Sequence, residues 1–280
     1  MTSLLQIDNL RVSYRGAGRR SLEVLHGVSL DIKEGETVGL IGESGSGKTT
    51  IGRTVLGLTP VSAGTITYNG RDITHLGKKE RRNLGSEIQV VFQDPYSSLN
   101  PTRTIEDTIA EPMRIHGVDK KTAHERIRYL LSEVGLPAGS ERRMPREFSG
   151  GQRQRIAIAR ALALDPKLII CDEPVSALDL TTQARVLDLL IDIQGKTGVS
   201  YLFVSHDLSV VRKISHRVAV IYRGDIVEFG PGAAVTGSPS HAYTRKLAAA
   251  APVADPTLQA HRRREWRKVV MGEQLAGKTA

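Results

Sequence analysis

The chain is 280 residues long, 40% hydrophobic and 25% charged, with a formal net charge of +9. That length buries a substantial core, and the composition fits a soluble globular protein rather than a disordered or fibrous one. One cysteine excludes an internal disulfide and argues against a cysteine-ligated metal or cluster, while the basic balance permits an acidic partner or an inert basic surface.

No run approaches the roughly 18 apolar residues of a membrane helix. The opening Met1-Thr-Ser-Leu-Leu-Gln-Ile-Asp8 lacks the basic start and long apolar core of a signal peptide, so a cytoplasmic location is expected.

Predicted strands occupy 4–14, 36–41, 65–68 and 87–92, with a helix from 48 to about 58. Between the second strand and that helix stands Gly42-Glu43-Ser44-Gly45-Ser46-Gly47-Lys48-Thr49, followed by Thr50. Glycines at this spacing let the backbone turn tightly with its N–H groups inward, and the helix N-terminus adds a favourable dipole. The string is a P-loop, a cradle for a nucleotide phosphate chain. Lys48 is expected to reach the β- and γ-phosphates and Thr49 to ligate Mg²⁺.

From 104 to about 163 the pattern turns helical, with apolar spacing at Ile105, Ile109 and Met113 and at Ile127, Leu130, Leu131 and Val134. Gly135 and Pro137 stop the second of these runs. A helical insertion therefore divides an α/β core. The core resumes with a strand at 167–171, a helix at 181–194, a strand at 200–204 and a last strand near 218–222. Parallel strands joined by helices bind ligands at their carboxyl ends, where the P-loop lies.

Cys171 reads as a small buried hydrophobe, and the same run ends in Asp172-Glu173. A buried strand would deliver these two carboxylates to the phosphate site with opposite orientation, Asp172 as metal partner and Glu173 as general base toward water. Ser149-Gly150-Gly151-Gln152 opens another helix, offering a hydroxyl, backbone N–H groups and a helix dipole to an anion; a plain capped turn is the alternative.

Phe148-Ser-Gly-Gly-Gln152 resembles the signature motif of ATP-binding-cassette (ABC) ATPases, with Phe148 where leucine is more usual. Further family marks stand in order: Tyr14 as the adenine-stacking residue, Gln93 as the glutamine-loop residue, Ser176-Ala-Leu-Asp179 as the D-loop, and His206 as the switch histidine. Tyr14, Gln93 and His206 also have plainer readings as a strand aromatic, a surface glutamine and a structural histidine. The resemblance implies an α/β P-loop NTPase core of RecA-like type, with an ABC β-subdomain and an inserted α-helical subdomain. It implies a cassette over 1–252, with core segments at about 1–92 and 166–230, a helical subdomain at about 93–165, and a basic tail at 253–280. It also implies that two cassettes sandwich ATP and Mg²⁺. Lys48, Glu173, His206 and Gln93 would then be catalytic, and Thr49, Gln93 and Asp172 would face the metal. The group from Ser149 to Gln152, with Asp179, would serve the partner's nucleotide.

Val91-Phe-Gln-Asp-Pro-Tyr-Ser-Ser-Leu-Asn-Pro101, Asp172-Glu-Pro-Val-Ser-Ala-Leu-Asp179 and Ser238-Pro-Ser-His-Ala-Tyr-Thr244 resemble the dipeptide, oligopeptide and nickel uptake branch, and in particular its second ATPase subunit. This implies a peripheral subunit on the cytoplasmic face of the inner membrane. Its expected partners are a second ATPase chain (a heterodimer, with a homodimer as the other arrangement), two permeases and an extracytoplasmic solute-binding protein. No nucleic acid is expected. Peptides lead the expected cargo, ahead of nickel or another small solute. A soluble ABC ATPase without a transport role is the competing reading. Arg262-Arg-Arg-Glu-Trp-Arg-Lys268 in the tail reads as a solvated face, with contact to anionic lipid as the alternative.

Overall fold

A computed structural model describes residues 3–15, 21–94 and 98–250. Tyr96 and the basic tail lie outside the described residues. Two sheets share the chain. Strands β1 (Ser3–Arg15), β2 (Ser21–Lys33), β4 (Ala63–Tyr68) and β5 (Arg71–Asp72) form a four-stranded antiparallel sheet in the order β2-β1-β4-β5. A six-stranded sheet has the order β10-β9-β3-β8-β7-β6, built from β3 (Thr37–Ile41), β6 (Ile88–Val91), β7 (Leu168–Asp172), β8 (Ser200–Ser205), β9 (Arg217–Tyr222) and β10 (Asp225–Pro231). Only β10 runs antiparallel to its neighbour there.

The central strands are buried along their whole length, as expected for a parallel sheet covered on both faces. Their side chains alternate between two cores. Leu202 and Val204 of β8, with Leu168 and Ile170 of β7, pack toward the antiparallel sheet and helix α1 (Lys48–Val55). Tyr201, Phe203, Ile169 and Cys171 pack into the opposite core. Cys171 is fully buried, and burial pushes its thiol well above the ordinary range, so it fills space as expected.

After the short helix α2 (Lys78–Leu84), β6 leads into α3 (Ile105–Ile115), α4 (Lys120–Glu133) and α5 (Gly150–Ala161) before the chain returns at β7. Thr104 caps α3 by accepting from the Asp107 N–H, and Asp119 caps α4 by accepting from Lys121 and Thr122. The apolar stripes expected on these helices, Ile105-Ile109-Met113 and Ile127-Leu130-Leu131-Val134, are buried together. Helix α6 (Leu180–Thr197) connects β7 to β8, and α7 (Leu208–Ile214) connects β8 to β9. Helices α8 (Gly232–Gly237) and α9 (Ala242–Ala250) complete the described chain.

Three strands, β2, β5 and β10, depart from the sequence reading. β2 is absent from it, although Val28, Leu30 and Ile32 alternate as a half-buried strand should. Register shifts against β1 and the left-handed Gly27, at φ 114°, interrupt the period along the rest of that strand. The strand near 218–222 is also not the last, because β10 follows through a tight turn at Arg223 and Gly224, both with positive φ.

Candidate functional site: a phosphate cradle at the strand carboxyl ends

Four parallel strands finish in step. Ile41 pairs with Ser205, Asp172 with Val204, and Val91 with Cys171. One or two residues beyond these ends come Gly42, His206, Glu173 and Gln93, so a single sheet edge gathers groups from four distant parts of the chain. They border an open cavity of about 720 Å³.

The loop between β3 and α1 curls over that cavity. Gly45 and Gly47 have φ of 78° and 108°, and a Cβ on Gly47 would meet the Leu25 Cδ2 at 2.7 Å, so both conformation and space require glycine there. The Ser46 N–H donates to the Glu43 carbonyl at 3.2 Å, and the Gly224 N–H donates to the Ser46 carbonyl at 3.0 Å, which ties the loop to the β9–β10 turn. The Ser46 hydroxyl is buried with no hydrogen-bond partner. A buried unsatisfied hydroxyl two residues before the start of α1 suits a phosphate.

Lys48 is 5% exposed and donates to the carbonyls of Gly42 and Glu43 at 2.8 and 2.9 Å. Burial pushes its ammonium pKa down, against the pull of the Glu173, Asp172 and Glu43 carboxylates. The Thr49 hydroxyl donates to Asp172 Oδ1 at 3.0 Å. Burial raises the Asp172 pKa, opposed by the Thr49 hydrogen bond and reinforced by the charge on Glu173. Threonine and aspartate oxygens with the Gln93 amide oxygen form a hard donor set of the kind that suits Mg²⁺. Among the described residues no cluster of three or more His, Cys, Asp or Glu competes for a metal.

Glu173 has left the strand. Its φ is 48°, a left-handed conformation unusual for a residue with a side chain, held by donation of its N–H to the Val204 carbonyl at 3.0 Å. Its Oε2 accepts from Gln93 Nε2 at 3.2 Å and lies 3.1 Å from His206 Nδ1, which donates to it in the Nδ1–H tautomer. Asp172 and Glu173 thus turn to opposite sides, one toward Thr49 and the other toward the rim.

The cavity is lined by Gly42, Glu43, Ser44, Gly45, Gly47, Lys48, Thr49, Thr50, Gln93, Glu173 and His206. Ser46 and Asp172 sit just behind that lining. Tyr14 lies outside it, exposed on β1 with its hydroxyl 3.4 Å from Thr59 Oγ1. The signature group also lies outside. Ser149 caps α5, its Oγ accepting from the Gln152 N–H at 3.3 Å while Gln152 Oε1 accepts from the Ser149 N–H at 3.0 Å. Asp179 caps α6 by accepting from the Thr182 N–H. The starts of α5 and α6 touch, because a Cβ on Gly151 would meet Thr182 Cγ2 at 2.3 Å.

Two lining residues escaped the sequence reading. Val24 arrives on the unrecognised β2, and Leu247 on α9. Tyr243 beside Leu247 also went unassigned, although its hydroxyl accepts from the Glu43 N–H at 2.9 Å. The local signal for the last two was the Ser238–Thr244 string followed by helical periodicity.

Residues 25–176 match the ABC transporter family. The chain is 53% identical over 241 residues to the glutathione import ATP-binding protein GsiA of Escherichia coli, a match covering 86% of this chain and 39% of that protein. It is 51% identical over 245 residues to the protein of the same name from Salmonella paratyphi A, covering 87% and 39%. The chain therefore spans about two fifths of the length of these curated relatives. Among solved structures, cbiO1 from Clostridium perfringens, part of the ABC transporter complex cbiONQ, aligns with TM-score 0.77 and 25% identity over 85% of this chain and 92% of its own. The dimeric ATP-binding cassette MJ0796, in a post-hydrolysis state with ADP and Pi, aligns with TM-score 0.73 and 28% identity over 81% and 98%. With its phosphate cradle, carboxylate pair and separate signature serine in this common frame, the chain belongs to the ABC transporter family.

Proposed function

We propose that this chain is the ATP-hydrolysing subunit of an ABC importer that takes up peptides or a related small solute. The observation that carries the reading is the placement of Glu173 Oε2, held by Gln93 and His206, on the rim of the cavity that the P-loop and Lys48 line. When bound, the nucleotide with Mg²⁺ supplies an electrophilic γ-phosphorus, the metal neutralising phosphate charge.

The loop N–H groups and Lys48 bind and orient the phosphate chain. Lys48 exchanges its two carbonyl partners for phosphate oxygens. Thr49, Asp172 and Gln93 would hold the metal. Glu173 takes a proton from the attacking water as its oxygen bonds to the γ-phosphorus and the bond to the ADP oxygen breaks. His206 steadies Glu173 and donates to the γ-phosphate side of the site. Tyr14 stacks on the base after turning from Thr59.

Ser149, Gly150, Gly151, Gln152 and Asp179 stand outside the cavity, which suits their use on the nucleotide of a second cassette. In this reading two cassettes, as a heterodimer or else a homodimer, work beneath two permeases at the cytoplasmic face of the inner membrane, fed by a solute-binding protein. Glutathione is a tripeptide, so relatives named for its import support a peptide-like cargo.

The test is an affinity pull-down from membranes with tagged Glu173→Gln protein and Mg·ATP, read by mass spectrometry. Recovery of two permeases with a paralogous cassette is the expected outcome. Recovery of soluble proteins alone would overturn the transport role.

A further inference from the structure

The P-loop is braced from the far end of the chain. Tyr243 stands 200 positions after Glu43, and its hydroxyl accepts the Glu43 N–H at 2.9 Å. Glu43 is also the residue whose carbonyl receives Lys48 Nζ at 2.9 Å and the Ser46 N–H at 3.2 Å. A continuous set of hydrogen bonds therefore runs from the tyrosine through the Gly42–Glu43 peptide unit, whose Gly42 carbonyl also accepts Lys48 Nζ at 2.8 Å, to the phosphate-binding lysine.

The tyrosine is itself held on three sides. It is 7% exposed, and its ring lies 4.2 Å from the Tyr222 ring at the end of β9, tilted by 35°. Its N–H donates to His241 Nδ1 at 3.2 Å. Glu228 on β10 accepts from the Ser240 N–H, the Ser240 hydroxyl and the His241 N–H at 2.8, 2.9 and 3.1 Å, which fixes the turn that launches α9. One turn further along α9, Leu247 joins the lining of the nucleotide cavity. Neither phosphate binding nor the chemistry assigned above uses any of these residues.

We infer that Tyr243 is a positioning residue for nucleotide binding: by holding the Glu43 peptide it presets the outer limb of the P-loop and the resting place of Lys48. The inference rests on the ATPase reading of the same cavity. Without the bond, the outer limb must be ordered when ATP binds, and that ordering weakens binding. Chemistry at bound ATP is untouched, since Glu173, Gln93 and His206 are held independently.

The experiment uses the full chain and measures the Kd of ATP and the turnover at saturating ATP. Tyr243→Phe keeps the ring against Tyr222 and removes only the acceptor. It should raise Kd about three- to tenfold, the scale of one neutral hydrogen bond, with kcat within about twofold of wild type. Glu43→Pro removes the donor, so adding Tyr243→Phe in that background should change nothing further. Amide exchange gives a readout independent of the proline variant, and the Glu43 N–H should exchange about tenfold faster or more in Tyr243→Phe.

An unchanged Kd in Tyr243→Phe, a rise that persists undiminished in the Glu43→Pro background, or unaltered Glu43 exchange would each overturn the positioning role. A wild-type chain that binds no ATP would instead overturn the ATPase reading beneath it, and is told apart because the wild-type measurement comes first.

Discussion

Glu173 is the residue on which the site converges. Its left-handed backbone lets a single carboxylate oxygen meet Gln93, 80 positions before it, and His206, 33 positions after it. Replacing it with glutamine keeps the shape and removes the base of the proposed mechanism. Glu173→Gln should retain ATP binding while hydrolysis falls about 10²–10⁴-fold, the scale of general-base loss. Single-turnover phosphate release checks this, and release at the wild-type rate would remove Glu173 from the role. At this scale much was legible. The P-loop glycines, Lys48 and Thr49 are constrained by neighbours a few positions away, so their string already states their geometry. The contact of the Tyr14 hydroxyl with Thr59 was not legible, because the two lie 45 positions apart.

Among the elements, α5 and α6 carry the groups that lie outside the cavity, and their starts approach so closely that Gly151 has no room for a side chain. A Cβ there would meet Thr182 Cγ2 at 2.3 Å, too close for any real contact. Gly151→Ala should force the two starts apart at a cost of about 1–3 kcal/mol, the scale of core overpacking. That corresponds to a Tm lower by about 2–10 °C. Thr182→Ser, which deletes the obstructing methyl, should restore most of the loss in the double variant. Thermal unfolding of the four proteins decides it, and additive losses would show that the contact does not govern the approach. The helices of this region were readable because capping and apolar spacing agree along each one. β2 was not, because Gly27 and the register shifts break its period where it pairs with β1.

On the scale of the whole molecule, the two sheets are pinned by Arg217 on β9. Its guanidinium donates to Asp31 on β2 at 3.0 and 2.8 Å and to Glu36 before β3 at 2.6 and 2.9 Å, while lying 4.7 Å from the Phe229 ring centroid. Arg217→Met should destabilise the fold by about 1–3 kcal/mol, discounted from the fully buried case because Asp31 is partly exposed. The Arg217 hydrogen bond, acting against partial burial and aided by its charge, holds the Asp31 carboxyl below its ordinary 3.8. A depressed carboxylate stabilises the fold above its unfolded pKa, and that contribution fades as pH falls through the folded value. The Tm gap between wild type and Arg217→Met should therefore be full at neutral pH and narrow below about pH 4. A gap that is constant down to pH 3 would assign the effect to packing alone.

Whereas the signature serine and the histidine after β8 were named through the resemblance to ABC ATPases, the phosphate loop and the carboxylate pair at a buried strand end could be named from the string of residues, since each depends on short-range backbone geometry. The alternation of buried strands with helices announced the α/β class for the same reason. Contacts between distant positions settled the rest. The strand order set Gln93, Glu173 and His206 around one oxygen, the β9–β10 hairpin tied Gly224 to Ser46, and α9 brought Tyr243 back to Glu43. None of these has a local signature, because hydrogen bonds across the sheet edge form only after the two cores have brought their strands into register.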